Sequence, residues 1–118
     1  MPTSISERLR ARATQEGFSG IRIASADAAP EQAERLRSFL GQNYHGDMEW
    51  LATTAERRAS PRALWPEARS AIVFAMNYGQ GIDPMERLKR KSQGVISVYA
   101  LNRDYHDVVK GKLKKIAT

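Results

Sequence analysis

Apolar positions change period early in the chain. Ile5, Leu9 and Ala13 recur at helical spacing. Ser4 and Glu7 open that run with the spacing of a capping box, in which hydroxyl and carboxylate each satisfy a free backbone N–H. Gly17 is placed to close the helix in the left-handed conformation. Gly20 to Ser25 then alternates, with Ile21 and Ile23 on one face, which predicts a half-buried strand. A second helix is predicted from about Ala29 to Leu40: Pro30 suits its first turn, Ala33, Leu36 and Leu40 share a stripe, and Gly41 ends it.

Asn43 to Asp47 reads as a loop, with Asp47 capping a short helix through Met48, Trp50 and Leu51. Pro61 and Pro66 punctuate the backbone and confine Ala63-Leu64-Trp65 to at most one short turn. Ser70 to Tyr78 contains the unbroken apolar run Ala71 to Met76, the pattern of a central strand buried on both faces, and this strand is expected to anchor the core. Gly79 to Gln93 has glycine, proline and charge but little apolar period, and reads as a mobile connection. Gly94 to Ala100 returns to strand character. From Asp104, a natural N-cap, the chain turns helical, with Tyr105, Val108, Val109, Leu113 and Ile116 as an apolar stripe and the lysines opposite. These elements predict an α/β (α+β) domain, a small sheet flanked by helices.

Length and composition bound what such a domain can do. At 118 residues the chain is one small domain or a piece of a larger one. A chain of this size buries roughly two-thirds of its unfolded surface, enough for a thin core. Cysteine is absent, which excludes disulfides, thiolate zinc sites, cysteine-ligated iron–sulfur clusters and a cysteine nucleophile within these residues. No apolar run nears the roughly 20 residues that span a bilayer, and Met1-Pro2-Thr3-Ser4 leads straight into charged residues, so a soluble, cytoplasmic protein is expected. The net charge of +6 is uneven: residues 1–81 hold ten Lys and Arg against nine Asp and Glu, whereas residues 82–118 hold nine against four. Arg87, Lys89, Arg90, Lys91, Arg103, Lys110, Lys112, Lys114 and Lys115 make up that C-terminal excess. They form either an electrostatic footprint for a phosphate backbone or a solvated helix face with a charged loop.

Candidate chemistry is sparse. No Gly-x-Gly-x-x-Gly and no Gly-Lys-Ser/Thr signature is present, which removes the common phosphate-binding loops. His45 and His106 are the only histidines, too few for a histidine-rich metal centre, and His45-Gly46-Asp47 is a pattern that surface loops produce freely. His106, between Asp104 and Asp107, either takes part in proton transfer or belongs to a capped helix start. Arg57-Arg58-Ala59-Ser60-Pro61 can present a forked guanidinium to an anion from a constrained loop. Trp50 and Trp65 can stack on a ring system, but beside Leu51 and Leu64 a core role is the readier expectation. Taken alone, these residues describe a basic α/β domain and no reaction.

Several segments together go further. Gly46-Asp47-Met48-Glu49-Trp50-Leu51, then Arg57-Arg58-Ala59-Ser60-Pro61 with Leu64-Trp65-Pro66-Glu67-Ala68-Arg69-Ser70, then Asn77-Tyr78, and finally Val98-Tyr99-Ala100-Leu101-Asn102-Arg103-Asp104-Tyr105-His106 follow one another in a distinctive order and spacing. This region, about residues 17–118, resembles the N-terminal part of the epoxyqueuosine reductases. The resemblance implies a cobalamin-dependent reductase that removes the epoxide oxygen of epoxyqueuosine at the tRNA wobble position. In the family, electrons reach the cobalamin through two 4Fe-4S clusters, and an aspartate in a downstream Val-Asp-Thr segment donates the proton.

The departures from the family matter equally. The Val-Asp-Thr motif and the cluster-ligating cysteines are both missing from these residues. The chain is therefore expected to be the N-terminal, incomplete part of the cobalamin-binding domain, with apolar surface exposed and no catalytic residue or metal ligand of its own. Asp104 belongs to a different motif and does not inherit the proton-donor role. By the resemblance, Arg58 aligns with a position that contacts cobalamin through a polar group on the corrin periphery. Ser97, seven residues before Asp104, aligns with another, where the backbone can do the binding. Tyr105 and His106 are added for their place after the last strand, with capping and packing as the other explanation. Lys110, Lys112, Lys114 and Lys115 fit a tRNA-binding surface by charge and not by motif. The full-length family implies a monomer acting on tRNA, with no membrane partner. The alternative is a noncatalytic basic module that binds RNA or cofactor.

Overall fold

The structure, a computed structural model, describes residues 2–79 and 81–118. In chain order its elements are α1 (Ile5–Gln15), β1 (Gly20–Ser25), α2 (Gln32–Gly41), α3 (Glu49–Thr53), α4 (Ala55–Arg58), α5 (Pro61–Leu64), β2 (Ser70–Ala75), two 3-10 helices (Pro84–Lys89 and Val98–Ala100) and α6 (Tyr105–Ala117). β1 and β2 pair as a two-stranded antiparallel sheet. Its ends are marked by Ser19 N–H donating to the Ala75 carbonyl and Ala26 N–H to the Arg69 carbonyl, each at 2.9 Å. The small sheet with helices that the sequence predicts is therefore present. The chain divides into two compact units, Met1–Ile21 with Phe74–Thr118, and Arg22–Val73.

The first unit is built on α1 and α6. Ser4 N–H donates to Glu7 Oε2 at 2.8 Å and Glu7 N–H to Ser4 Oγ at 3.2 Å, completing the predicted capping box. Gly17 turns the chain at φ +89°, and Phe18 N–H returns to the Ala13 carbonyl to close the helix. Ala13, Phe18 and Ile21 form the buried cluster, with Leu9, Phe74, Val109 and Ile116 packed against it. The rings of Phe18 and Phe74 lie 4.9 Å apart and tilted by 45°. Such pairs add about 0.5–1.5 kcal/mol to the area they bury. Lys112, half-buried on α6, donates its ammonium to the Glu16 carbonyl, where α1 ends. Not all the lysines lie opposite the apolar stripe.

The second unit holds Ala26, Ala68 and His45 buried. Arg62 grips Asp27 with two parallel hydrogen bonds of 2.9 and 3.0 Å. Ser60 Oγ accepts the Ala63 N–H at 3.0 Å and caps α5, whose four residues keep Ala63-Leu64 within the single turn expected. The stripe Ala33, Leu36 and Leu40 of α2 faces Ala55 and Ala59 across an open apolar hollow of about 650 Å³.

Several expectations need correction. α2 begins at Gln32 and not Ala29, so Pro30 lies ahead of it, and Gly41 is its last residue; Asn43, at φ 56°, supplies the left-handed turn. Met48, not Asp47, stands at the cap of α3, with no side-chain hydrogen bond. β2 is not a central strand buried on both faces. Among the described residues it pairs with β1 alone; Ile72 is 41% and Val73 61% exposed, and Phe74 is the β2 residue that packs against the core. Val95 to Ala100 forms no strand, because β character needs a ladder partner; Val98–Ala100 is a 3-10 turn instead. The stretch read as a mobile connection contains the helix Pro84–Lys89, capped by Asp83, while its Gln80 lies outside the described residues. Trp50 and Trp65 are surface rather than core residues, 51% and 61% exposed. The exposed apolar surface expected from the sequence is extensive, running through Ile82, Met85, Leu88 and Ile96.

Candidate functional site

In the second unit, one polar chain runs along α3 and α4. Trp50, Thr54 and Arg58 are spaced four residues apart, so they fall on one helical face. Thr54 Oγ1 donates to the Trp50 carbonyl and accepts from Arg58 Nε at 2.7 Å. The Arg58 guanidinium carbon stands 4.6 Å from the centre of the Trp50 ring, a cation–π contact. Arg58 is exposed, and among the described residues it has no carboxylate partner. The same unit buries His45 to 8% exposure, with its Nδ1 lacking a partner among the described residues. His45 is thus not the surface-loop residue that its sequence neighbours suggest.

In the first unit, an aromatic run leads to the start of α6. Tyr78 and Tyr99 meet edge to face at 6.4 Å, and Tyr99 and Tyr105 at 6.0 Å. Tyr105 stacks on the His106 ring at 4.1 Å and 26°. Asp104 Oδ1 takes both the His106 backbone N–H, at 2.9 Å, and the ring Nδ1, at 2.8 Å. The His106 ring first, and then its backbone N–H, hold the Asp104 carboxyl below the ordinary carboxylate value. Asp104 therefore stays an acceptor, which suits a cap and an orienter of the imidazole. Of the two readings of this motif, the capped helix start is present.

Beside this run, Asn77, Tyr78, Ile82, Arg87, Val98 and Leu101 line a cleft of about 230 Å³. Asn77 Oδ1 accepts the Gly79 N–H at 2.8 Å and so shapes its rim. Ser97 precedes Val98, exposed, with its carbonyl accepting the Ala100 N–H at 2.9 Å and its hydroxyl making no cap bond. Within this unit the structure brings Tyr105 and His106 into one stack and sets Ser97 at the turn carrying Tyr99. Sequence reasoning missed Tyr78 and Tyr99 as ring partners, and Trp50 and Thr54 as the holders of Arg58. The four-residue spacing was the available signal for the second pair.

The four lysines of α6 separate into two kinds. Lys110 and Lys114 are exposed. Lys112 is committed to the Glu16 carbonyl, and Lys115 lies 3.9 Å from the Glu16 carboxylate. Among the described residues no three His, Asp or Glu side chains come together as a metal-holding group, and no helix is long and apolar enough to cross a membrane.

Comparison with known proteins gives the family of the chain. A family model described as "Epoxyqueuosine reductase QueG, DUF1730" matches residues 58–118. The chain is 34% identical to the epoxyqueuosine reductase of Alicycliphilus denitrificans, over 93% of this chain and 32% of the relative. It is 37% identical to that of Leadbetterella byssophila, over 92% of this chain and 34% of the relative. Against the Escherichia coli protein of the same name the identity is 32%, over 95% and 30%. The chain thus spans about a third of the length of the curated relatives it matches. No solved structure matches it. With just over half of its residues matched by the family model and nearly all of them aligned to proteins of that name, the chain belongs to the epoxyqueuosine reductase family.

Proposed function

We propose that this chain forms part of the cobalamin-holding domain of an epoxyqueuosine reductase, whose whole-protein activity is the reduction of epoxyqueuosine to queuosine at the wobble position of tRNA. The observation that carries this reading is similarity to proteins named for that activity over 93% of the chain. Within it, residues 1–118 are the N-terminal part of the domain, acting in the cytoplasm and, at full length, as a monomer on tRNA.

The donor set fits a corrinoid in kind. Arg58 offers outward guanidinium N–H groups in one unit. In the other, the Tyr105–His106 stack offers ring faces and the backbone at Ser97 offers polar groups, near a cleft of about 230 Å³. Cobalamin, when bound, supplies the redox chemistry at the epoxide carbon. The residues of this chain bind and orient: Arg58 takes a polar group on the corrin periphery, Ser97 contacts it through backbone, and Tyr105 and His106 exclude water from its flank. The two 4Fe-4S clusters of the family do not fit these residues, which include no cysteine, so no electron-transfer step runs through them here. Lys110 and Lys114 meet tRNA phosphates, with Lys112 and Lys115 in the same helix partly occupied by Glu16.

Titration of the purified chain with hydroxocobalamin, followed by visible absorption and gel filtration, tests the reading. Saturable retention, weakened by Arg58→Gln, supports it. Salt-sensitive tRNA binding with no cobalamin retention would replace it with a noncatalytic RNA-binding module.

A further inference from the structure

Arg58 is held on two sides. Its Nε is used by Thr54 Oγ1 at 2.7 Å, and its face lies over Trp50 at 4.6 Å. The Thr54 hydroxyl proton is itself directed at the Trp50 carbonyl, so the oxygen lone pairs turn toward Nε. Both constraints act on the guanidinium before any ligand arrives. What remains is the edge bearing Nη1 and Nη2, two parallel N–H donors with no partner among the described residues. Nor does any carboxylate among them neutralise the charge.

That edge favours an anion with two oxygens. Two parallel donors match two oxygens carrying one negative charge, the geometry of a carboxylate or a phosphodiester, and cobalamin, whose side chains end in amides, offers only the second. A carboxamide matches poorly, since it offers one oxygen and an NH2 that meets the second N–H donor to donor. Cobalamin carries several side-chain amides but one phosphodiester, in its nucleotide arm. RNA carries the same group at every linkage.

We infer that Arg58 is a phosphodiester-binding fork aimed by Trp50 and Thr54, and that on cobalamin it takes the nucleotide-arm phosphodiester rather than a side amide. This deepens the cobalamin reading of the chain and rests on it. Trp50 and Thr54 are positioning residues: they touch Arg58, not the ligand. Arg58→Lys keeps the charge and loses the fork. Thr54→Val removes the hydroxyl at nearly constant shape, whereas Thr54→Ser keeps it. Trp50→Phe keeps a ring and weakens the cation–π contact.

The experiment compares hydroxocobalamin with cobinamide, which lacks the nucleotide arm and its phosphodiester, on the full 118-residue chain and these variants, with circular dichroism to confirm folding. A short RNA oligonucleotide is the third probe. Arg58→Lys is expected to weaken cobalamin about tenfold, the loss of a charge-assisted bond, and to leave cobinamide unchanged. Thr54→Val and Trp50→Phe are expected to move the cobalamin-to-cobinamide ratio the same way by a smaller factor, and Thr54→Ser to restore it. A general loss of structure would lower both affinities together and leave the ratio alone. If Arg58→Lys and Arg58→Gln weaken both corrinoids equally, Arg58 touches the cofactor but not its phosphodiester, and this inference fails while the cobalamin reading stands. If neither corrinoid depends on Arg58 but RNA binding does, the fork stands with RNA as its source and the assignment to cobalamin falls. Binding of all three probes indifferent to Arg58, or no binding of any, overturns the fork altogether.

Discussion

Lys112→Met separates a structural lysine from those left free for the proposed RNA contact. The substitution keeps most of the aliphatic stem, which is half-buried against α1, and deletes the ammonium that Glu16 accepts through its carbonyl. A hydrogen bond from a charged donor contributes about 1.5–3 kcal/mol, and a cation at a helix C-terminus about 0.3–1 kcal/mol. Water can replace the ammonium at a carbonyl near the surface, so the net loss falls at the lower end, about 1–2 kcal/mol. Lys115, at 3.9 Å from the Glu16 carboxylate and largely exposed, recovers little of it. For a chain of this length that corresponds to a fall in Tm of about 4–8 °C. Urea unfolding followed by circular dichroism reads the stability. The salt dependence of RNA binding reads the other half, because each lost phosphate contact lowers the slope of log K against log salt by about 0.7–0.9. Lys112→Met is expected to lower the urea midpoint and leave that slope intact, while Lys110→Met and Lys114→Met do the reverse. A Lys112→Met chain with the wild-type midpoint and a reduced slope refutes the tether and returns Lys112 to the RNA-facing set.

Other perturbations test the remaining joints. Gly17→Ala forces a Cβ into φ +89°, 3.4 Å from Lys112 Nζ, and is expected to cost about 1–2 kcal/mol in urea unfolding; a neutral result would mean the turn relaxes. Phe18→Ala empties the centre of the buried cluster and is expected to cost about 3–5 kcal/mol, leaving the first unit largely unfolded by circular dichroism. Asp104 and Glu7 are both depressed carboxylates, the first held down by His106 and the second by the Ser4 backbone N–H and then its hydroxyl. Their contribution is fully present above the unfolded-state carboxylate values and is lost as the pH falls through the lower folded values, so stability should decline only in acid. His106→Ala should raise the Asp104 titration toward its ordinary value in carbon NMR; an unmoved titration would show that the backbone N–H alone sets it.

The legible parts of this fold are those whose determinants lie within a few residues of one another. The Ser4–Glu7 box, the left-handed Gly17, the alternation of β1 and the Asp104 cap of α6 each need only a local hydrogen bond or a local steric preference, and each formed where the spacing put it. β2 and the stretch at Val95 were misread for a common reason. A continuous apolar run states that side chains prefer burial, not that a neighbour exists to bury them. Among the described residues β2 pairs with β1 alone and leaves Ile72 and Val73 exposed, and Val95 to Ala100 joins no ladder. Strand pairing is a property of two distant segments, and one segment's pattern records half of it.

The candidate site divides along the same line. Family resemblance singled out Arg58, yet what holds Arg58 was already written at four-residue spacing in Trp50, Thr54 and Arg58. That spacing was hidden by reading Trp50 as core and 57–61 as a constrained loop. Once α3 and α4 are seen to follow one another directly, three polar or aromatic residues on one face become an arginine with its Nε occupied and its outer edge open. The lysines of α6 teach the converse. Equal charge and close spacing made Lys110, Lys112, Lys114 and Lys115 look equivalent, but a helix rotates by about 100° per residue, and Lys112 and Lys115, three residues apart, are the two that turn toward Glu16 at the end of α1. Charge counted along a sequence measures how many cations are present. Which of them are free for a phosphate is decided by which carbonyls and carboxylates the fold has already brought to them.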